Sequence, residues 1–216
     1  MKILQLNRMN PHIKLHLNLH SSFLPNMPRV KYVRILQWNC RGIKANITDL
    51  QLLLTKDISV ACLQESRLPH DSNFSMKYYS TYNFNPNNHD AYPIPGGLTT
   101  LIHNSIPHRP ITLNTSLQAQ AFSVSLNYTT TICNIYIPPH SSPDRHSIEN
   151  LLHQLPSPYI LLGDFNAHHP LWGSQKHNPK GILIENILLN NNVTLLNHKK
   201  NQLISILLLV QYLVLI

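Results

Sequence analysis

From position 33 onward the apolar residues fall into short blocks divided by turn-forming residues, and their periods switch between those of strands and helices. Residues 33–38 read as a strand ending at Asn39, and residues 59–63 as a short buried strand ending at Gln64 and Glu65. Between them residues 47–54 have helical spacing, with Asn46 or Thr48 as N-cap. Gly96 and Gly97 open a strand over 98–103, and residues 121–126 and 131–137 predict a hairpin that turns at 127–130. Pro138 and Pro139 end that hairpin. Pro143 stands where a helix should start, and residues 148–155 complete it. Residues 159–162 form a buried strand that runs into the turn Gly163-Asp164-Phe165-Asn166. Residues 181–190 are helical and 193–196 are another strand. The polar stretch 69–95, rich in Asn and Tyr, reads as loop. Residues 1–32 lack a sustained period and read as a poorly ordered extension. Residues 3–7 (ILQLN) echo 35–39 (ILQWN), but one five-residue echo is too short to establish a repeat. Strands alternating with helices and hairpins predict a mixed α/β sandwich of sheets covered by helices.

Composition narrows the class. A chain of 216 residues, 43% hydrophobic and 12% charged, suggests one folded domain with ragged ends and excludes strong disorder. Seventeen basic residues against nine acidic give +8, with fourteen His in reserve. That balance favours polyanionic partners such as nucleic acid, although no block of Lys or Arg dominates and a plain solubility charge reads the same. Cys40, Cys62 and Cys133 sit far apart in apolar contexts with no zinc-ligand spacing, which fits reduced buried thiols in an intracellular protein. No unbroken apolar run follows Met1, so no signal peptide is expected. The apolar run 203–216 is shorter than the ~20 residues that span a bilayer. It reads as a buried strand pair or as out-of-frame sequence, with a tail anchor as the weaker alternative, and no membrane partner is expected.

Three polar signatures share one design. Trp38-Asn39-Cys40-Arg41-Gly42, Gln64-Glu65-Ser66 and Gly163-Asp164-Phe165-Asn166 each stand at the C-terminal end of an apolar strand. A strand is a rigid mount, and its end lets a side chain reach a cleft without being buried unpaired. The residue types suit phosphodiester hydrolysis. Glu65 can bind Mg²⁺, a hard cation that prefers oxygen. Asn39 can add an amide oxygen to the metal shell or hold its water. Asp164 can orient or deprotonate the attacking water. Asn166 can donate to a phosphoryl oxygen as charge builds, and Tyr136 can contact the phosphate through its hydroxyl. Taken singly, Glu65 is equally a solvated strand end, Tyr136 a packing residue, and Asn39 or Gly-Asp-Phe-Asn a turn; order and spacing give them joint meaning.

Gln37 to Gly42 (QWNCRG), Leu63 to Ser66 (LQES), Asn134 to Pro139 (NIYIPP) and Leu162 to His169 (LGDFNAHH) occur in the order seen in the endonuclease/exonuclease/phosphatase superfamily. The string 166–174 (NAHHPLWGS) resembles the endonuclease domain of jockey-type non-LTR retrotransposon polyproteins, and Gly96-Gly97 before a strand also fits. The resemblance covers about residues 33–197. It implies a DNase I-like four-layer α/β sandwich and a Mg²⁺-dependent endonuclease that nicks DNA for target-primed reverse transcription. A reverse transcriptase in the same polyprotein and nuclear residence follow from the same resemblance. By analogy Asn39 and Glu65 belong to the metal site, and Tyr136, Asp164 and Asn166 to the phosphate and nucleophile site. His168, His169 and Trp172 match the family string and read as loop-shaping.

The pattern breaks late. The family carries a Ser-Asp-His motif and an Asp on the penultimate strand. Here the only acidic residue after Asp164 is Glu185, and no Asp-His pair occurs. The family-like text fades near 196–198, and 199–216 is low-complexity Leu, Ile and Val, as a frameshift, a premature stop or a faulty gene model would leave it. The expectation is therefore a sandwich incomplete at its C-terminus and weak or absent cleavage. The alternatives are a noncatalytic DNA-binding remnant and, less in keeping with NAHHPLWGS, a phosphatase of the same fold.

Overall fold

The computed structural model describes residues 33–55, 57–85, 95–126, 128–191 and 193–195, and the backbone alone of 2–4, 13–19 and 206–211. Two six-stranded sheets carry the fold. The first contains β1 (Lys2–Leu4), β2 (Ile13–Leu19), β3 (Val33–Asn39), β4 (Val60–Gln64), β5 (Tyr79–Phe84) and β6 (Leu98–His103), in the order β1-β2-β3-β4-β6-β5. The second contains β7 (His108–Ile111), β8 (Gln118–Ser125), β9 (Thr129–Tyr136), β10 (Tyr159–Asp164), β11 (Thr194–Leu195) and β12 (Ile206–Gln211), in the order β11-β12-β10-β9-β8-β7. Parallel pairing occurs between β3 and β4 and between β9 and β10. Helices α1 (Ile47–Leu54) and α2 (Arg145–His153) make those two crossovers, as parallel neighbours require. A third helix, α3 (Pro179–Asn190), follows the Asp164 loop.

The period of two along each strand builds four layers. On the outer face of the first sheet, Leu36, Trp38, Ala61, Leu63 and Leu101 pack with Leu50 and Leu53 of α1, and Cys40 lies in this core. Between the sheets lie Ile35, Val60, Cys62, Ile102, Phe122, Val124, Ile132, Ile160 and Leu162. On the outer face of the second sheet, Cys133, Ile135 and Leu161 pack with Ile148 and Leu151 of α2 and Ile184 and Ile187 of α3. Each of the three cores thus holds one free, buried cysteine. Full burial of one such aliphatic side chain is worth about 1.5–3 kcal/mol, so the three cores dominate stability.

The helices begin where capping chemistry allows. Asp144, after Pro143, accepts a hydrogen bond from Ser147 N at 2.7 Å, and Asn178 accepts one from Gly181 N at 2.8 Å ahead of Pro179. Asn46 precedes α1 but caps nothing with its side chain; its Nδ2 donates to Cys40 O and Gly42 O instead and so braces the loop after β3.

Several segments differ from the sequence reading. β5 arises in the stretch 69–95 that reads as loop, and β7 in a segment to which the sequence pattern assigns no element. Both are edge strands, where weak alternation suffices, and β7 tolerates Pro110 because an edge can forgo one donor. The extension contributes the backbone of β1 and β2, and β2 lies antiparallel to β3. Its alternation Ile13, Leu15, Leu17, Leu19 is a strand period, which the intervening Lys14, His16 and Asn18 belong to rather than break. Residues 206–211 of the apolar tail run antiparallel to the whole of β10. Residues 5–7 of the echo, the turn residue 127, and 196–205 and 212–216 of the fading text and tail lie outside the described residues. Among the described residues no helix is long and apolar enough to cross a membrane.

Candidate active site

The same alternation that builds the core between the sheets also builds the cleft at its end. Counting up β3, β9 and β10, the inward residues are Ile35, Gln37 and Asn39; Ile132, Asn134 and Tyr136; and Ile160, Leu162 and Asp164. Asn39, Tyr136 and Asp164 are therefore delivered to one rim by strand geometry alone. Glu65 follows β4 in a left-handed backbone conformation, φ +51°. That conformation costs an L-residue about 1–2 kcal/mol. The loop that imposes it is held from outside: Ser66 N donates to Gly97 O at 3.2 Å and Arg67 N to Gly96 O at 3.0 Å. Gly97, at φ +87°, admits no side chain, since a Cβ there would meet Ser66 Oγ at 2.6 Å. The paired glycines before β6 thus serve the loop that carries Glu65.

The side chains converge. Asn39 Nδ2 donates to Glu65 Oε1 at 2.8 Å and to Asp164 Oδ2 at 2.7 Å, so one amide bridges two carboxylates from opposite sheets. Its Oδ1 accepts from Arg41 N at 3.3 Å. Tyr136 donates its hydroxyl to Glu65 Oε1 at 3.3 Å, and Arg67 forms an ion pair with Glu65 Oε2. Burial, then the charges of Glu65 and Asp164, push the Tyr136 phenol well above its ordinary value, so it stays a donor at neutral pH.

Asp164 and Asn166 form a second locus beside the first. Asp164 Oδ1 accepts from Asn166 N at 3.0 Å, and Asn166, at φ +47°, donates Nδ2 to Ile137 O at 2.9 Å. The start of α3 clamps this turn. Asn178 donates to Asn166 O at 2.9 Å and accepts from His168 N at 3.0 Å. Gly181 lets the helix approach, because a Cβ there would lie 1.8 Å from His168 O. Lys180 is buried and donates Nζ to Pro138 O at 2.6 Å and Pro139 O at 2.8 Å. Burial lowers its pKa, while the charge of Asp164 acts in the opposite direction.

All five residues singled out in the sequence, Asn39, Glu65, Tyr136, Asp164 and Asn166, lie in this one cluster. His168, His169 and Trp172 shape the adjoining loop. His169 accepts from Leu171 N and pairs with Glu185 at 3.4 Å, and the buried Trp172 donates to Ala167 O at 3.0 Å. Arg67, Asn178 and Lys180 escaped the sequence reading. Lys180 did leave a signal: a cation in the first turn of a helix opposes the macrodipole and calls for another reason to be there. Among the described residues no three His, Cys, Asp or Glu side chains gather as a metal cage. The carboxylate oxygens of Glu65 and Asp164 suit a cation that keeps most of its water, as Mg²⁺ does, with Asn39 between them to hold such a water or to turn its own oxygen to the ion.

The architecture is the four-layer α/β sandwich of the DNase I-like class. Comparison with known proteins agrees. A family profile described as Endonuclease-reverse transcriptase matches residues 130–206. The chain is 27% identical over 165 residues to a protein of the X-element transposon of Drosophila melanogaster, named a probable RNA-directed DNA polymerase, and 26% identical over 169 residues to the RNA-directed DNA polymerase from mobile element jockey of Drosophila funebris. These matches take in 74% and 76% of this chain and 18% of each relative, so the chain spans less than a fifth of their length. The solved endonuclease domain of TRAS1, a telomere-specific non-LTR retrotransposon, superposes with a TM-score of 0.64 at 14% identity, over 83% of this chain and 85% of that one. The chain resembles the endonuclease domain of jockey-type non-LTR retrotransposon polyproteins, a domain of the endonuclease/exonuclease/phosphatase type.

Proposed function

We propose that this cleft is the centre of a Mg²⁺-dependent DNA endonuclease that nicks a target strand for reverse transcription by a polymerase domain of the same polyprotein, and that it does so weakly. The observation that carries the proposal is the meeting of Asn39, Glu65, Tyr136 and Asp164, from four strand ends and both sheets, in one hydrogen-bonded cluster. Glu65 and Asn39 would hold the cation, with Asp164 close enough to share it. A bound Mg²⁺ would neutralise charge on the phosphate and on the leaving oxygen. Asp164 orients the attacking water and takes its proton. Asn166, with one amide hydrogen on Ile137 O, has the other for a phosphoryl oxygen. The Tyr136 hydroxyl, already a committed donor, can pass from Glu65 to phosphate. The basic balance of the chain favours the polyanion, and the DNA substrate puts the work in the nucleus.

Weak turnover follows from the proton inventory. Asn39, Glu65, Tyr136 and Asp164 bond to one another, to Arg67 and to backbone, so the cluster itself keeps no spare acid to serve the leaving group. A missing acid or base is worth on the order of 10²–10⁴ in rate. That same observation favours a second reading, a noncatalytic DNA-binding remnant. A supercoiled-plasmid nicking assay with Mg²⁺ separates them. Slow nicking abolished in both Glu65→Ala and Asp164→Ala supports the nuclease. Soluble, folded protein that binds DNA and never nicks it leaves only the remnant.

A further inference from the structure

One residue pair below the rim, the space between the sheets is polar where the next layer down is apolar. Gln37 donates Nε2 to Gln64 Oε1, and Gln64 donates Nε2 to Asn134 Oδ1 at 2.7 Å. Asn134 donates Nδ2 to Thr100 Oγ1 at 3.1 Å and Leu63 O at 3.3 Å. Thr100 donates its hydroxyl to Gln120 Oε1 at 2.8 Å, and Gln120 donates to Tyr82 O at 3.2 Å. Gln37, Gln64, Thr100 and Asn134 are fully buried. The chain of bonds crosses from first sheet to second twice, at Gln64–Asn134 and at Thr100–Gln120.

A layer of buried amides is a costly way to fill space. Two residues further down the same strands, Ile35, Cys62, Ile102, Phe122 and Ile132 fill it with apolar groups. Gln37 even leaves its Oε1 without a partner. Apolar contacts let two sheets slide by fractions of an ångström at little cost, whereas directional bonds between them do not. The residues above need that constraint. Gln64 is the immediate neighbour of Glu65, Gln37 lies two residues below Asn39, and Asn134 two below Tyr136. The contacts Glu65–Tyr136 and Asn39–Asp164 both span the sheets, so both depend on their offset. We infer that Gln64 and Asn134, assisted by Gln37, are positioning residues that lock the offset of the two sheets and thereby set the Glu65–Asn39–Tyr136 geometry. The inference rests on the reading of that cluster as the active site.

The test replaces the layer by apolar groups of like shape. Asn134→Leu alone strands the Gln64 amide, whereas the triple variant Gln37→Met, Gln64→Met, Asn134→Leu leaves none of the three amides behind. Losing both sides of a buried hydrogen bond is close to neutral, so the triple variant should unfold at a denaturant concentration at or above that of Asn134→Leu. With 3-fluorotyrosine in the full chain, the Tyr136 resonance is the one absent from Tyr136→Phe. In the triple variant it should move or broaden relative to wild type although stability has recovered. Mn²⁺ affinity, read by electron paramagnetic resonance, should fall about 10–100-fold. A Tyr136 resonance and Mn²⁺ affinity equal to wild type would overturn the inference and leave the layer as packing. Should wild type bind Mn²⁺ no better than Glu65→Ala, the metal reading of the site falls, and the fluorine comparison still decides the positioning role by itself. If the triple variant does not fold, Thr100→Val removes a single hydroxyl from the layer; a smaller Tyr136 shift upholds the inference and an unchanged resonance overturns it.

Discussion

The two ends of the space between the sheets are made by the same strands and differ in almost everything else. At one end Ile35, Val60, Ile102, Val124, Ile132 and Ile160 share a core held by nondirectional apolar contacts. At the other, Asn39 ties two carboxylates, Arg67 and Asn166 each hold one more oxygen of that pair, and Tyr136 shares Glu65 Oε1 with Asn39. The backbone differs in degree: of the six non-glycine residues with left-handed φ among the described residues, Arg41, Glu65, Arg67 and Asn166 flank the polar end, while Asp57 and Tyr78 lie elsewhere. Left-handed backbone at four non-glycine residues marks strain kept where chemistry is, with stability supplied from the apolar end. The lesson is a division of labour along a strand, in which a shift of four residues passes from packing to function.

Substitutions can break that contrast. The largest expected effect is on turnover: Asp164→Ala should lower nicking by about 10²–10⁴-fold while moving the urea midpoint far less than a core change does. Ile132→Ala, at the apolar end, should do the reverse. Removing this fully buried side chain should cost about 2–5 kcal/mol in urea unfolding, with the residual folded protein nicking as wild type. A comparable loss of stability in both variants would remove the distinction. Next comes pH. Burial, its largest cause, pushes the Cys40 thiol from 9.0 up to about 12, and raises Cys62 and Cys133 as well. The folded chain therefore keeps protons that the unfolded chain loses above pH 9. This stabilisation is complete below pH 9 and is lost as pH rises toward the folded values, by up to about 1.4 kcal/mol per pH unit for each thiol. Urea midpoints at pH 8 and 10.5 measure it, and a slope no shallower in Cys62→Ala/Cys133→Ala would refute the assignment. The smallest effect isolates strain. Glu65→Gly should be more stable than Glu65→Ala by about 1 kcal/mol, because only glycine occupies φ +51° freely. Equal midpoints would mean that the turn carries no such cost.

The apolar end was readable from the chain and the polar end only in part. Residues 47–54 were expected as a helix and are one, because Leu50 and Leu53 repeat at helical spacing against a single core. The strands β3, β4, β6, β9 and β10 announced themselves as apolar runs. β5, with the sequence YSTYNF, is half-buried throughout and lacks the contrast that periodicity needs. Asn39, Glu65, Tyr136, Asp164 and Asn166 were visible because each stands at or just after the end of such a run. What could not be read was which atom faces which. For Asn39 the isolated side chain allows an amide oxygen on a cation or a bond to the cation's water, and the sequence does not show that its nitrogen bridges Glu65 and Asp164 while its oxygen accepts from Arg41 N. Arg67 reaches Glu65 only through the left-handed turn that they share, and Asn178 and Lys180 act through contacts made once distant loops meet, of which the misplaced cation of Lys180 is the one local trace.

One cysteine in each of the three cores gives the molecule a set of built-in timers. A buried, protonated thiol is inert to alkylating reagents, so each can be modified only during an opening of its own layer. Cys40 reports release of α1 from the first sheet, Cys62 the parting of the sheets, and Cys133 the lifting of α2 and α3. Alkylation followed by mass spectrometry would therefore time the breathing of each interface separately, in the unaltered chain, and show which of them yields first.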